Sequence, residues 1–315
     1  MEKNWSLREE VDLIESDSRL TKVPTIIAVV PIHNGLPAVL NCVQSIYDQK
    51  SSSYRLIVIV VDDGSTDASI SELKKQFSDV HIIQGDGSLW WTGAIDKGSR
   101  VALELGADYV FWINHDDILE PHSLERLLNV ASKEKHIIAC SVVIKANDPT
   151  FALCGYSLRY MRWYIQPLLV SQKEARMEKF RKFCDLNGGH GILIPKSLFN
   201  RPHMLRPHLF PHYAGDFDFY FQARRSGFKA LMVGGAVIRN EASSSGLLSG
   251  FRIQEMSQII PYLTSPRSLG NLRDRPLLAL LNFPLGLNFI WAFLLILAPL
   301  GSVLFFPFRK NRNSL

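Results

Sequence analysis

Short apolar runs alternate with segments of helical periodicity along the first half of the chain. Thr25-Ile26-Ile27-Ala28-Val29-Val30 predicts a buried strand that stops at Pro31. Between Pro37 and Tyr47, the residues Val39, Leu40, Val43, Ile46 and Tyr47 fall at helical spacing. A second β-branched run, Leu56 to Val61, ends in Asp62-Asp63-Gly64. The pattern then predicts a helix over Ser69 to Phe77, a short strand over Val80 to Gln84 and a helix over Gly93 to Leu105. Tyr109 to Ile113 reads as a strand ending in Asn114-His115-Asp116-Asp117, followed by a helix over Pro121 to Ser132 and a strand over Ile137 to Ile144. Such βαβ alternation predicts a parallel sheet with helices on both faces and a ligand beyond the carboxyl ends of its strands.

The second half is less regular. Arg159 to Lys182 is basic, aromatic and reads as partly helical, and Asn187-Gly188-Gly189-His190-Gly191 precedes a strand-like stretch. Pro202 to Tyr213 reads as a loop whose His203, His208 and His212 are solvated. Asp216 to Ser226 reads as a helix opening with acidic residues, favourable against its dipole, and Leu231 to Ile238 as a strand.

No charged residue occurs from Pro276 to Phe308, and Phe289 to Phe306 is long enough to cross a bilayer. Pro299, and Pro284 before it, should kink or break that helix. Arg273 and Arg275 precede it and Arg309, Lys310 and Arg312 follow, so a single span leaves one basic cluster outside, against the positive-inside tendency. A re-entrant hairpin or an interfacial anchor keeps both on one side; a core helix or an oligomer interface is the competing reading. We expect membrane association. The first twenty residues are polar and acidic and lack the apolar core of a signal peptide, which places the amino-terminal part in the cytosol.

Composition narrows the classes. At 47% hydrophobic and 21% charged residues, the chain is neither disordered nor a fibrous repeat. The net charge of +5 comes without a basic stripe interleaved with aromatics, so no nucleic-acid partner is expected. Cys42, Cys140, Cys154 and Cys184 are scattered with no CxxC pair, which argues for reduced thiols and against a structural zinc site. No GxGxxG follows the first strand, which disfavours a dehydrogenase.

Three successive strand ends carry polar clusters: His33-Asn34, Asp62-Asp63 and Asn114 to Asp117. Turn chemistry explains one such cluster easily; three suggest a shared site. Their order resembles family 2 glycosyltransferases, inverting sugar-nucleotide enzymes of GT-A fold, over roughly residues 24 to 240. The likeness rests on VVPIHNG, on VVDDGSTD at Val60 to Asp67, on INHDD at the position of the family's DXD-like motif, and on GDFDFYFQARRSGFK at Gly215 to Lys229. With GDGSLWWTGAIDKG added, the chain looks most like rhamnosyltransferase-type enzymes of bacterial surface polysaccharide assembly. The resemblance implies a mixed α/β sheet flanked by helices. It divides the chain into a polar extension (1–23), a GT-A domain (24–245), a linker (246–275) and a hydrophobic membrane-associated segment (276–315).

The resemblance also implies site roles. Asp216 is the expected general base, tuned by the neighbouring Asp218; the position before it, often Glu in the family, is Gly215 here. A helix cap is the competing role for Asp216. Asp116 is the expected ligand for Mg²⁺ or Mn²⁺, with Asn114 in place of the motif's first Asp and Asp117 either assisting or capping a helix. Asp62 or Asp63 is expected to accept the imide N–H of the base, with Pro31 and His33 lining the same pocket. Trp90 and Trp91, beside Gly93, are expected either to stack on sugar or nucleotide or to belong to the core. Gly189, His190 and Asp218 are expected near the acceptor. The partners so implied are a UDP- or dTDP-sugar donor, a glycan or lipid-linked acceptor, and the cytoplasmic face of the inner membrane. A nucleotidyltransferase lacks its basic glycine-rich loop here, and a non-catalytic nucleotide-sugar-binding scaffold is the rival from another class.

Overall fold

The structure is a computed structural model and describes residues 23–145, 148–153, 155–161, 165–169, 177, 179–240, 255–268 and 270–304. In chain order the strands are β1 Thr25–Ile32, β2 Arg55–Asp62, β3 His81–Gln84, β4 Tyr109–Trp112, β5 Asp117–Leu119, β6 Ile137–Lys145, β7 Asp148–Leu153, β8 Tyr156–Tyr160, β9 Ile165–Leu169, β10 Arg181–Cys184, β11 Ile192–Pro195 and β12 Lys229–Asn240. The helices are α1 Ala38–Tyr47, α2 Ser69–Gln76, α3 Trp90–Glu104, α4 Ser123–Ala131, α5 Gly215–Arg225, α6 Ile259–Thr264, α7 Asp274–Asn282 and α8 Leu287–Leu304.

The main sheet runs β10-β12-β6-β11-β4-β1-β2-β3, with β5 against β12 and β7 against β6. It is mixed, not parallel throughout: β11 runs antiparallel to both β4 and β6, and β10 and β5 run antiparallel to β12. All eight residues of β1 are buried, as expected for a central strand covered on both faces. Side chains alternate between two cores. Ile27 and Val29 join Trp112, Phe219 and the inner face of α3, while Ile26, Ala28 and Val30 join α1 and α4. The fully buried Trp112 indole donates to Ser99 Oγ at 2.9 Å, so its polar atom is satisfied.

Two predicted features differ. The stretch after Arg159 contains strands where helix was expected: β8 and β9 form a separate antiparallel hairpin, and β10 joins the main sheet. Part of that stretch lies outside the described residues. Its β-branched and aromatic residues already favoured strand, and the basic residues between them masked the alternation. Pro299 does not break α8, which continues through it, while Pro284 sits in the turn between α7 and α8. Along α8 the mean hydropathy is 2.1 and 17% of the residues are buried, leaving Phe289, Phe293 and Leu297 exposed.

Strand order creates the site. β2 and β3 lie on one side of β1 and β4 lies on the other, so a crevice opens between the carboxyl ends of β1 and β4. Because β11 runs antiparallel beside β4, with Ile192 opposite Trp112, the loop preceding β11 reaches this same edge.

Candidate active site

At the end of β4, Asn114 and Asp117 close a tight turn in which the Asp117 amide donates to the Asn114 carbonyl at 3.1 Å. Asp117 has no exposed surface. One of its oxygens accepts from Asn240 Nδ2 at 2.7 Å and the other from His190 Nδ1 at 2.8 Å. Burial disfavours the charged imidazole, but Asp117, then Asp116 and Asp216, outweigh it and push His190 up to about 9. The imidazole is therefore a cation at neutral pH, held at the crevice. Asn114 Nδ2 stands 3.2 Å and 3.3 Å from the two ring nitrogens. Equal distances place the amide over the ring face rather than in line with a lone pair.

Trp91 fixes that amide by donating its indole N–H to Asn114 Oδ1 at 2.8 Å. The indole rests on Gly189: a Cβ there would stand 2.1 Å from Trp91 Cζ2, so only glycine fits. Gly189 thus seats Trp91 and has no free face toward an acceptor, contrary to expectation. His115 turns away from the cluster and lies against Gly35, 3.2 Å from where a Cβ would stand.

Asp216 occupies the first turn of α5. Its Oδ1 accepts the N–H of its neighbour Phe217 at 2.8 Å, and no side-chain cap bond is formed at this helix. The cap reading therefore does not account for the residue. Burial raises the carboxyl to about 6, partly opposed by the Phe217 N–H and by His190. Its Oδ2 and the His190 ring flank Gly188. Gly215, where the resemblance leads one to expect Glu, packs α5 onto α3: a Cβ would stand 2.0 Å from Thr92 Oγ1.

Asp218, expected beside the acceptor and as the tuner of Asp216, does neither. It is 1% exposed and ion-paired to Arg206, whose Nε donates at 2.8 Å, while Asn282 Nδ2 donates at 3.0 Å. Two residues apart on a helix, Asp216 and Asp218 face opposite ways. Asp218 ties the 202–213 loop and α7 to α5. Gly93 also stands apart, buried in α3 against Leu89 and Pro207 and lining an open recess of about 390 Å³ on the helix face away from the sheet. None of the convergent carboxylates borders that recess.

Asp62 and Asp63 terminate β2. Asp63 Oδ1 accepts the N–H groups of Gly87 and Leu89 at 2.9 Å and 3.1 Å, and Oδ2 accepts that of Trp90 at 2.8 Å. Asp63 thereby shapes the turn that starts α3. Asp62 gives one oxygen to the Ser65 N–H at 3.0 Å. Pro31 is buried in β1, and the exposed His33 donates from Nδ1 to the Asp63 carbonyl at 2.7 Å. Asn34 Oδ1 then accepts the Thr66 N–H at 2.7 Å, which clips the two loops together.

Asn240 and Arg206 carry much of this geometry and were not singled out in the sequence, whereas Asn34 belongs to the polar cluster read at the end of β1. Asn240 had one legible signal: it ends a strand, as the other polar clusters do. His212 was read as solvated, but its Nδ1 is buried without a hydrogen-bond partner, and burial, then Arg267, depress it to about 4.

Among the described residues, no group of three or more His, Cys, Asp or Glu could hold a metal ion. Asp117 is committed to His190 and Asn240, and Asn114 Oδ1 to Trp91. Asp116 remains, itself in hydrogen-bonding reach of the Asn240 side chain, its carboxyl raised by burial and then by Asp117. A Mg²⁺-type ion that brings substrate phosphates and water as its other ligands needs only one or two carboxylates, and Asp116 fits that mode alone.

The family model described as Glycosyl transferase family 2 matches residues 27–201. An uncharacterised glycosyltransferase of Rickettsia typhi is 24% identical over 65% of this chain and 60% of its own length. The putative glycosyltransferase EpsH of Bacillus subtilis is 25% identical over 40% of this chain and 36% of its own. This chain therefore spans less than two thirds of the length of these relatives. Among solved structures, GalNAc-T7, crystallised with UDP, GalNAc and Mn²⁺, superposes with a TM-score of 0.56 at 15% identity, over 70% of this chain and 44% of that one. The mixed sheet with its flanking helices is the GT-A arrangement of such neighbours. With more than half of its length inside the family match, the chain belongs to glycosyl transferase family 2.

Proposed function

We propose that the chain is an inverting glycosyltransferase moving a sugar from a UDP- or dTDP-sugar to a hydroxyl of a glycan or lipid-linked acceptor. The observation that carries this reading is the place of His190, bonded to Asp117 at 2.8 Å and flanking Gly188 together with Asp216 Oδ2, with Asp116 and Asp216 both within electrostatic reach of its ring. The acceptor oxygen forms its bond to the anomeric carbon as the bond from that carbon to the diphosphate breaks. Asp216 takes the hydroxyl proton, and the nucleoside diphosphate leaves. A base raised to about 6 is ionised at neutral pH yet still basic enough to accept a proton. Asp62, with one oxygen still available, meets the base, and Asp63 holds the turn beneath it. Asp116 would hold a divalent ion, which would neutralise charge on the diphosphate.

Two further names support the polysaccharide setting: a poly(ribitol-phosphate) β-glucosyltransferase of Bacillus spizizenii, 25% identical over 34% of this chain, and a hyaluronan synthase of Pasteurella multocida, 27% identical over 45%. We place α8 in a membrane, on the cytoplasmic face, because its exposed apolar side chains form a surface no polar solvent stabilises. Release of nucleoside diphosphate from a panel of UDP- and dTDP-sugars tests the reaction; silence across the panel, with and without Mn²⁺, contradicts it.

A further inference from the structure

With Gly189 filled by Trp91 and Asp218 locked to Arg206, neither offers the acceptor a free surface, although Asp216 does face the cleft. A second group adjoins Asp216 and takes no part in the chemistry above. Trp90 stands at the head of α3 with a left-handed backbone, φ 56°, held by its N–H bond to Asp63. The His212 ring meets it edge-on at 6.0 Å, and the Tyr213 ring lies 4.8 Å from that of His212. The Arg267 guanidinium sits 5.5 Å from the Trp90 ring centroid.

This group is built rather than incidental. Arg267 lies in a turn closed by the Ser268 N–H donating to the Ser265 carbonyl at 2.9 Å, and the turn is tied to the site by the Tyr213 N–H donating to the Pro266 carbonyl at 3.3 Å. Two residues separate Tyr213 from Asp216, and the Gly215 N–H donates back to the His212 carbonyl at 3.2 Å. Arg267 and Asp216 both act on the Tyr213 hydroxyl, in opposite senses. Arg267 is exposed and pairs with no carboxylate among the described residues. Trp90 and Tyr213 are half-buried, and His212 keeps an unpartnered ring nitrogen.

We infer that Trp90, His212, Tyr213 and Arg267 form the acceptor subsite, and that it takes a sugar bearing a phosphate or diphosphate. This rests on the proposed transferase reading. The half-buried Trp90 and Tyr213 rings offer apolar faces to a sugar ring, and His212 packs between them. The guanidinium, paired with no carboxylate among the described residues and lying against the Trp90 ring, offers a planar fork to phosphate oxygens. The anionic group would lie at Arg267 and the attacking hydroxyl at Asp216.

Calorimetry on the full chain, with UDP present, tests this with N-acetylglucosamine 1-phosphate and its neutral match, methyl N-acetylglucosaminide. The expected result is binding of the phosphate ester at least about tenfold tighter than the glycoside. Arg267→Gln should abolish that preference and Arg267→Lys should keep part of it. Trp90→Leu should weaken both ligands alike. Equal binding of the two ligands by the unsubstituted chain, retention of the preference in Arg267→Gln, or displacement of the ester by UDP would each overturn the inference. If Arg267→Gln does not fold, an unchanged preference in Arg267→Lys counts against it. A prenyl-diphosphate-linked N-acetylglucosamine arm in micelles separates sources: tighter binding than the free ester points to a lipid-linked acceptor, and equal binding to a soluble or polymeric phosphate. UDP and dTDP titrations are read separately, and failure of both sinks the transferase reading without touching the charge preference at Arg267.

Discussion

His190 Nδ1 stands 2.8 Å from Asp117 Oδ2, and Asp117 has no exposed surface. A buried carboxylate thus holds an imidazolium at the mouth of the crevice. Raised to about 9 from an ordinary value near 6.5, the imidazole favours the folded state fully below about pH 6.5, and that contribution fades as pH rises toward 9. Thermal melts from pH 6 to 10 should show a decline absent from His190→Gln. Asp117→Asn should cost about 3–5 kcal/mol, because it strands a charge in a desolvated site.

Asp216→Asn should reduce turnover by about 10²–10⁴-fold while leaving UDP affinity within about twofold. The same substitution should raise the melting temperature slightly, because burial penalises the ionised carboxyl. The folded pKa exceeds the unfolded one, so this group's contribution to stability falls as pH rises from about 4 to 6. Loss of activity by unfolding would instead lower the melting temperature.

Gly215→Ala puts a methyl 2.0 Å from Thr92 Oγ1 and should destabilise by about 1–3 kcal/mol. Thr92→Ala removes that oxygen, so the double variant should recover part of the loss. A denaturant-based double-mutant cycle reads the coupling directly, and strict additivity would contradict the packing described.

Breaking the buried pair by Arg206→Met should cost about 3–5 kcal/mol through an unpaired Asp218. The pH profile of turnover should not move in that variant, because Asp218 faces away from Asp216. A shifted profile would restore Asp218 as the tuner.

Replacing Phe289, Phe293 and Leu297 with Glu should abolish sedimentation of the chain with anionic lipid vesicles and spare UDP binding. Continued co-sedimentation of the triple variant would locate membrane binding elsewhere.

Much of the fold was legible because its signals are local. β1 and β2 are apolar runs, β2 ending at Asp62 while β1 continues through Pro31 to Ile32 where a stop at Pro31 was expected, and the polar clusters follow these strand ends along one edge. The pairing of β11 between β4 and β6 was not legible, because antiparallel insertion is a choice among distant partners that no local period records. For the same reason Asn240 went unseen: it reaches Asp117 from 123 positions away. Gly189 and Asp218 were misplaced because sequence shows which residues are small or charged, but not whether a Trp91 ring or an Arg206 fork already occupies them.

Nucleoside diphosphate release from UDP- and dTDP-sugars, compared between the unsubstituted chain and Asp216→Asn across pH 4.5 to 8, tests the central claim most directly. The account predicts release from at least one donor, rising with pH through about 6 and lost in Asp216→Asn while UDP still raises the melting temperature of both. Undiminished release by Asp216→Asn would contradict it.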